Sequence, residues 1–215
     1  MKILPPKLSP TPFKKLLIPN DLRLKIVDEY KSMKFNIVED RITYNPWQGY
    51  SVGGGVANLN PDKFYYHMSP MSKDLKQECF DVLTPIVENW CGIELEKTVA
   101  YGIRSYMKDS FLKLHRDRIQ THILSCIIFV DENCNKKWPL DFFDHEFNHH
   151  EVFFEHGEML LYESLCVHGR MTPFDGQYYR NMYFHWKPKF WNFDNYVNMK
   201  TMFFDLNDYL SYYSK

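Results

Sequence analysis

The sequence has almost no net charge and no long apolar run, and these two absences exclude several classes of protein. Its 215 residues carry 26 basic and 27 acidic side chains, so no basic surplus attracts a phosphate backbone and we expect no nucleic-acid partner. No window reaches the roughly 18 uninterrupted apolar residues of a membrane span. The first residues also lack the apolar core of a signal peptide. We therefore expect a cytoplasmic protein without membrane contact.

The chain also lacks paired cysteine motifs and the sequence frames of common catalytic loops. Its cysteines are odd in number, widely spaced and free of any C-x-x-C pair, which favours reduced thiols over disulfides or a thiolate zinc site. Neither of the glycine-rich frames that bind phosphate, G-x-x-x-x-G-K-[ST] and G-x-G-x-x-G, is present. The nucleophile elbow G-x-S-x-G is absent too, so hydrolysis by a serine triad has little support.

Two amphipathic helices are predicted in the first part of the chain. Asn20 is expected to cap the first helix, whose apolar residues recur at helical spacing. Ser72 is expected to cap the second, and Gly92 to end it. The apolar stripe of this second helix consists of Leu75, Cys79, Val82, Leu83, Ile86 and Trp90.

The segment from Asp40 to Asn58 breaks the helical pattern with polar, aromatic and glycine residues. We interpret it as a mobile connection between the helices. An ordinary packed loop is one hypothesis for it. The other is a lid that supplies Trp47 or Tyr50 to a substrate pocket.

From Thr98 to Trp186 the apolar period becomes that of β-strands separated by turn-rich segments. The predicted strands are Val99 to Tyr106, Phe111 to Asp117, Ile123 to Val130, Leu140 to Asp144, Glu151 to Phe154, Met159 to Tyr162 and Tyr178 to Trp186. Many short strands without intervening helices indicate an α+β, mainly β fold, a jelly roll or double-stranded β-helix with N-terminal supporting helices.

The predicted organisation is a single domain in three parts. Residues 1–97 form an N-terminal extension with the supporting helices, residues 98–188 form the double-stranded β-helix core, and residues 189–215 form an aromatic tail that packs on the core. A tail this apolar has to be buried, either against the domain's own helices or in a homodimer contact.

One pattern of residues points to chemistry. His115 and Asp117 are two positions apart in a predicted strand, so their side chains share a face while Arg116 and Arg118 point the other way. His168 follows another apolar strand. Two imidazoles and one carboxylate can hold a divalent metal on one side and leave the opposite side open, as non-haem Fe(II) oxygenases require.

The same three residues admit other functions. Two histidines and an aspartate also hold Zn²⁺ with an open position, so a metal-dependent hydrolase or isomerase on a cupin-like barrel is an alternative. A non-catalytic binding module with a degenerate site is another. The residues by themselves leave these alternatives open.

Six short segments between about Val99 and Pro188 surround or contain these residues. They are Tyr101-Gly102-Ile103-Arg104-Ser105-Tyr106, Leu112-Lys113-Leu114-His115-Arg116-Asp117-Arg118, Thr121-His122-Ile123-Leu124-Ser125, Trp138-Pro139-Leu140, Gly157-Glu158-Met159-Leu160-Leu161-Tyr162-Glu163-Ser164 and His168-Gly169-Arg170. In this combination the chain resembles the Fe(II)/2-oxoglutarate-dependent dioxygenases, and within them the prolyl 4-hydroxylase-like branch.

The resemblance implies an enzyme with Fe(II), 2-oxoglutarate and O₂ as cofactors. His115, Asp117 and His168 would hold the iron. The implied reaction hydroxylates a peptide or protein side chain, with proline as the first guess, and converts 2-oxoglutarate to succinate and CO₂. A free amino acid or another small metabolite is the alternative substrate, because the resemblance covers the metal core rather than the substrate loops.

The resemblance also implies a cation for the distal carboxylate of 2-oxoglutarate, about ten residues beyond the second histidine. That position is Tyr178 here, which departs from the family. Arg180 is our first candidate for the cation because it shares a strand face with Tyr178, and Arg170 is the second. Tyr106 matches a tyrosine of the family and is expected to contact the cosubstrate or substrate, with a core role as the alternative.

Overall fold

A computed structural model describes residues 3–39, 43–45, 50–52, 55–60, 65–203 and 205–214 of the chain. The helices are α1 (Asn20–Tyr30), α2 (Lys73–Cys91) and α3 (Leu206–Tyr213), and a single 3₁₀ turn spans Phe193–Tyr196. The strands are β1 (Phe13–Leu17), β2 (Asn36–Glu39), β3 (Thr43–Asn45), β4 (Tyr50–Val52), β5 (Val56–Asn58), β6 (Tyr65–Ser69), β7 (Leu95–Ala100), β8 (Ile103–Met107), β9 (Ser110–His115), β10 (Leu124–Cys134), β11 (Leu140–Phe143), β12 (His149–Val152), β13 (Glu158–Glu163), β14 (His168–Arg170) and β15 (Gly176–Pro188).

Among the described residues the strands form two large antiparallel sheets. The larger sheet has the order β1-β13-β10-β15-β8-β6-β2, with β7 also paired to β15, and the smaller one has the order β12-β11-β14-β9-β5. Strands β3 and β4 pair with each other. The facing sheets enclose one apolar cluster, and the predicted jelly-roll architecture is confirmed.

Helix α2 supports the larger sheet from outside and begins and ends as its sequence predicts. The Ser72 hydroxyl accepts a hydrogen bond from the Leu75 amide at 3.2 Å, and Gly92 ends the helix in the left-handed conformation with φ of 70°. Its buried face consists of Leu75, Cys79, Phe80, Leu83, Val87, Trp90 and Cys91, so Val82 and Ile86 of the predicted stripe lie at its margin.

Helix α1 packs beside α2 and buries Leu22 and Ile26. The predicted cap is wrong here, because Pro19 occupies the cap position and Asn20 is already helical. The Asn20 carboxamide oxygen accepts a hydrogen bond from the Arg23 guanidinium at 3.1 Å instead of capping the backbone.

Strand β15 crosses the middle of the larger sheet, and its two faces contact different layers. The residues that face the helices are Met182, Phe184 and Trp186, and those that face the smaller sheet include Tyr179 and Tyr183. Both faces are therefore apolar, and the strand separates the helix layer from the interior between the sheets.

Strands extend further towards the N-terminus than the sequence predicted. Strands β1, β2 and β6 join the larger sheet, and β5 pairs with β9 in the smaller one. The segment from Asp40 to Asn58 contains β3, β4 and β5 where a connection without strands was expected. Three of these strands have only three residues, too few for a periodic pattern to be recognised.

The aromatic tail packs on the smaller sheet rather than on the N-terminal helices. Phe203 and Tyr209 are buried in one cluster with Leu114, Phe143 and Val167. The homodimer contact stays a prediction. All five cysteines are free, as expected. None of the helices in the described part of the chain has the length and apolar character that a membrane crossing needs.

The turn between β7 and β8 gives a test of this packing. A Cβ atom added to Gly102 would lie 1.8 Å from the backbone oxygen of Ser69, whereas a Cβ at Gly92 would meet open space. We expect Gly102→Ala to lower the free energy of unfolding by about 3 kcal/mol or more. Gly92→Ala, which only strains a left-handed residue, should cost about 1 kcal/mol. Urea denaturation measures both, and equal losses would contradict the predicted close approach.

Candidate metal centre

The two histidines are brought together by the pairing of strands β9 and β14. Strand β9 ends at His115 and β14 begins at His168, and these two residues are direct partners in the antiparallel register. Directly opposed side chains on one sheet face are in contact. The centroids of the two imidazole rings accordingly lie 4.5 Å apart.

Asp117 completes the cluster from the turn after β9. Its amide donates to the Ser164 carbonyl at 3.0 Å, which fixes the turn. Its Oδ1 lies 3.5 Å from Nε2 of His115, and its Oδ2 lies 3.8 Å from Nε2 of His168. The three ligand atoms lie within 4.8 Å of one another, a spacing that one metal ion can bridge.

Each imidazole is oriented by its own strand. Nδ1 of His115 bonds the carbonyl of Lys113 at 2.7 Å, and Nδ1 of His168 bonds the carbonyl of Cys166 at 2.9 Å. Because a carbonyl only accepts, both Nδ1 atoms carry the proton. The lone pair of each Nε2 is then directed at the space beside Asp117, which is the tautomer a metal ligand needs.

The protonation states also suit a metal. Burial raises the pKa of Asp117, but when the neighbouring imidazoles are protonated the hydrogen bond with His115 and the charge on His168 outweigh it, so the pKa of that carboxyl lies well below its usual range. Burial, with the neighbouring His115, lowers the pKa of His168 to about 4. At neutral pH the carboxylate is therefore ionised and the His168 imidazole is neutral.

These three residues lie in the wall of a cavity of about 390 Å³ between the two sheets. The residues that also line it are Gly55, Tyr66, Met68, Tyr101, Arg104, Tyr106, Leu112, Arg116, Arg118, His122, Ile127, Leu140, Tyr162, Tyr183, His185, Thr201 and Met202. Asp117 is the single carboxylate among the described residues that line this cavity, whereas several of them are arginines.

A second pair of imidazoles lies beside the His115, Asp117 and His168 cluster. The rings of His122 and His185 have centroids 3.7 Å apart. Nδ1 of His185 bonds the Ser125 hydroxyl at 2.6 Å, and Nε2 of His122 bonds the Tyr101 hydroxyl at 3.2 Å. Burial lowers the pKa of His122 to about 4 and that of His185 well below its usual value. Both rings are thus neutral polar groups of the cavity wall.

Arg180, the first candidate for the cation that binds the distal carboxylate of 2-oxoglutarate, does not reach the cavity. Its guanidinium lies over the ring of Tyr178 at 3.7 Å and over that of Phe35 at 4.3 Å, and its Nε donates to the Ser105 hydroxyl at 3.2 Å. Even-numbered residues of β15 face the helix layer, so Arg180 and Tyr178 share a face, as predicted, but it is the outer one.

The second candidate, Arg170, is buried but does not line the cavity. Its guanidinium lies 4.4 Å from the ring of Trp138 and 4.3 Å from that of Tyr179, and it donates to the Trp138 carbonyl. Tyr106, by contrast, is part of the cavity wall, and its hydroxyl lies 3.0 Å from that of Tyr183.

Among the arginines that line the cavity, Arg104 has an enclosed Nε without a hydrogen-bond partner in the described chain, and the sequence did not single it out. It lies on β8 two positions before Tyr106, so the two share a strand face, and its Nη1 donates to the Tyr106 hydroxyl at 3.3 Å. That alternation was visible in the sequence once Tyr106 was placed in the site. The resemblance, however, implies a cation only beyond His168.

Of the two arginines on either side of Asp117, Arg116 follows the predicted alternation, with its guanidinium over the Phe203 ring, and Arg118 does not. Arg116 is buried, donating from Nε to the Leu165 carbonyl at 2.8 Å and from Nη1 to the Lys200 carbonyl at 3.1 Å. Arg118 is exposed but lines the same cavity as Asp117. Strand β9 ends at His115, so the two-residue period does not extend to Arg118.

The lid hypothesis names Trp47 and Tyr50. Trp47 and the side chain of Tyr50 lie outside the described residues.

A segment of the C-terminal tail borders the cavity. Thr201 and Met202 line it, and the Thr201 carbonyl accepts a hydrogen bond from the Arg116 amide at 2.7 Å. The C-terminal tail therefore contributes part of the wall.

No protein-family model and no curated protein matches this sequence. Solved structures do match the fold. HygX from Streptomyces hygroscopicus, solved with nickel, 2-oxoglutarate and hygromycin B, aligns with a TM-score of 0.57 and 13% identity over 91% of this chain and 93% of its own. A prolyl-4-hydroxylase from Pseudomonas putida aligns with a TM-score of 0.54 and 15% identity over 84% and 94%. A 2OG-Fe(II) oxygenase family protein from Burkholderia pseudomallei aligns with a TM-score of 0.53 and 11% identity over 80% and 84%.

These likenesses define the class of fold. The chain has the double-stranded β-helix fold of the 2-oxoglutarate oxygenases, including that of a prolyl hydroxylase, and at fold level the resemblance seen in the sequence is confirmed. At such low identity the shared property is the fold.

The buried imidazoles predict a pH dependence of stability in the metal-free protein. His122 and His168 have pKa values of about 4 when folded, against an ordinary value of 6.5. Between these values the unfolded chain binds more protons, so the free energy of unfolding falls as pH falls. We expect a loss of up to about 1.4 kcal/mol per pH unit for each histidine. Urea denaturation in EDTA at pH 7 and pH 5 measures it, and His122→Gln should reduce the slope. Equal stability at the two pH values would contradict the burial of these rings as neutral groups.

The cluster also predicts a single tight site for a divalent metal. His115→Ala removes one of three ligands and should lower the affinity for Zn²⁺ by more than about 100-fold in calorimetry. His150→Ala is the matched control, because that histidine pairs with Asp144 at 2.9 Å outside the cluster. Its Zn²⁺ affinity should equal that of the wild type. Retention of tight binding by His115→Ala would rule out this site.

Proposed function

We propose that the protein is an Fe(II)- and 2-oxoglutarate-dependent oxygenase, which hydroxylates its substrate and releases succinate and CO₂. One observation carries the proposal: two imidazoles with unprotonated Nε2 atoms and one ionised carboxylate converge on one point of a cavity wall. Three protein ligands on one side of an iron ion leave coordination positions for a cosubstrate and O₂.

The residues present fit both the metal and the cosubstrate. His115, Asp117 and His168 would hold the iron, and 2-oxoglutarate would chelate it from the cavity side. The iron would activate O₂, the oxidant, and 2-oxoglutarate would be oxidised to succinate and CO₂ while one oxygen atom enters the substrate. The cavity offers an enclosed guanidinium Nε of Arg104 without a hydrogen-bond partner among the described residues, which fits a dianionic cosubstrate.

The remaining residues of the cavity orient these groups and exclude water. The Tyr162 hydroxyl donates to Oδ2 of Asp117 at 3.5 Å and so holds that carboxylate in place. Leu112, Ile127 and Leu140 close the interior with apolar surface. A dry interior strengthens every electrostatic contact made by the bound groups.

The substrate that we propose first is a prolyl residue of a peptide or protein, which the likeness to the Pseudomonas putida prolyl-4-hydroxylase supports. A small polar metabolite is the second candidate. It is favoured by the likeness to HygX, which was solved with hygromycin B and covers a larger share of this chain.

The proposed reaction class is tested by succinate formation. Purified protein with Fe(II), 2-oxoglutarate, O₂ and ascorbate should form succinate, and His115→Ala should abolish it because one iron ligand is lost. His150→Ala should retain full turnover. Turnover that persists in His115→Ala, or that needs neither O₂ nor 2-oxoglutarate, would contradict the proposal and favour the zinc hydrolase or isomerase.

The substrate class is tested separately by mass spectrometry. Peptide and metabolite libraries incubated with the active protein are searched for products that have gained one oxygen atom. Oxygen gained on peptidyl proline supports the first candidate, and oxygen gained on a metabolite with none on the peptides supports the second.

A further inference from the structure

The Arg104 guanidinium, two tyrosine hydroxyls and the Asn181 carboxamide form a connected hydrogen-bond network in the cavity wall. Nη1 of Arg104 donates to the Tyr106 hydroxyl at 3.3 Å, and Nδ2 of Asn181 donates to the Tyr183 hydroxyl at 3.3 Å. The two phenol oxygens lie 3.0 Å apart. The network joins the neighbouring strands β8 and β15 on their cavity-facing side.

This network has more donors than acceptors. Each phenol oxygen already accepts a hydrogen bond, so one phenol proton serves the contact between the two hydroxyls and the other has no acceptor. The Nε of Arg104 is enclosed and also lacks a partner among the described residues. Burial raises the pKa of Tyr183 well above its usual value, so its hydroxyl keeps its proton. Oδ1 of Asn181 is an unpartnered acceptor in the same network, so at least one donor is left over.

No carboxylate neutralises Arg104 within the described chain. Its guanidinium carbon lies 4.4 Å from the centroid of the Tyr66 ring and 5.3 Å from that of Tyr183, so its planar faces contact aromatic rings. A partly buried guanidinium without a counter-ion, in a network with a donor left over, is a site for an anion.

The position of the network along the barrel sets the length of that anion. Ser125 pairs with both Tyr162 and His185 in register, which places these residues at the level of Asp117. Tyr183 is one same-face step along β15 from His185, about 6.6 Å. A five-carbon diacid that chelates the metal with one end spans such a distance with the other.

We infer that Arg104, with the hydroxyls of Tyr106 and Tyr183, binds the distal carboxylate of 2-oxoglutarate. This assignment depends on the proposed function, and it moves the cation from strand β15, where the resemblance placed it, to strand β8. Arg104 donates its enclosed Nε to one carboxylate oxygen, and the free phenol proton bonds the other.

The position of Tyr179 explains why the proposed cation lies on β8 rather than on β15. It faces the interior of β15 one position after Tyr178, and its ring, together with Trp138, encloses the Arg170 guanidinium. That end of the barrel is filled by side chains, and the residues that close it include Phe174, whose ring lies 5.1 Å from Trp138. The side of the cavity formed by β8 therefore remains open to a cosubstrate anion.

The test measures binding rather than turnover. Isothermal titration calorimetry of the Zn²⁺-loaded protein with 2-oxoglutarate should show an affinity loss of about 10- to 100-fold for Arg104→Gln. Binding of 2-oxobutanoate, which chelates the metal but lacks the distal carboxylate, should stay within about twofold of the wild-type value. Arg104→Gln should therefore lose most of the wild-type preference for 2-oxoglutarate over 2-oxobutanoate.

Matched variants separate this network from the other arginines. Arg180→Gln alters an arginine outside the cavity and should leave 2-oxoglutarate affinity unchanged. Tyr106→Phe and Tyr183→Phe each remove only a hydroxyl, so they preserve the packing if Arg104→Gln fails to fold. At least one of the two should weaken 2-oxoglutarate binding about threefold or more, without affecting 2-oxobutanoate.

The outcomes distinguish the two proposals. A wild-type protein that binds the metal but not 2-oxoglutarate overturns the proposed function and this assignment with it. A wild-type protein that binds 2-oxoglutarate with an affinity unchanged in Arg104→Gln overturns this assignment alone. An equal loss for 2-oxoglutarate and 2-oxobutanoate also overturns it, because the effect would then lie at the metal rather than at the distal carboxylate.

Discussion

The site depends on the antiparallel register that places His115 opposite His168. A shift of this pairing by one residue would turn one imidazole to the other face of the sheet. Gly169 permits the register, because a Cβ at that position would lie 2.7 Å from the Leu112 carbonyl oxygen. The pairing is irregular at this glycine, between His168 and Arg170, so the chain passes close to β9 where the ligands meet.

The imidazole orientation follows from the same two strands. In both histidines Nδ1 bonds the carbonyl two residues earlier in the chain, Lys113 for one ring and Cys166 for the other. The backbone of each strand therefore sets the tautomer, and no separate carboxylate is needed to orient either ring. Asp117 is left as the anion of the cluster, since the pKa of its carboxyl lies well below the usual range.

The cavity thus has two chemically different ends, one with the His115, Asp117 and His168 cluster and a donor-rich one with Arg104. The C-terminal tail encloses the region further. Phe203 donates its amide to the Leu114 carbonyl at 2.7 Å, and the Arg116 guanidinium lies over its ring at 5.6 Å. Phe203 and Tyr209 of the tail are buried against the strand that carries His115, so ordering of the tail and shape of the cavity are linked.

The sequence by itself determined what depends on neighbouring residues along the chain: helix α2 with its Ser72 cap and Gly92 end, most strands of the core, and the H-x-D pair with the later histidine. Only the tertiary structure decided which face of β15 meets the cavity. Both faces of that strand are buried and carry large aromatic residues, so no alternation of polar and apolar residues marks the inner one, and Arg180 was placed inside although it lies outside. Arg104 shows the same limit, since its role depends on which strands stand opposite each other across the barrel, and that is a long-range contact that no local pattern contains.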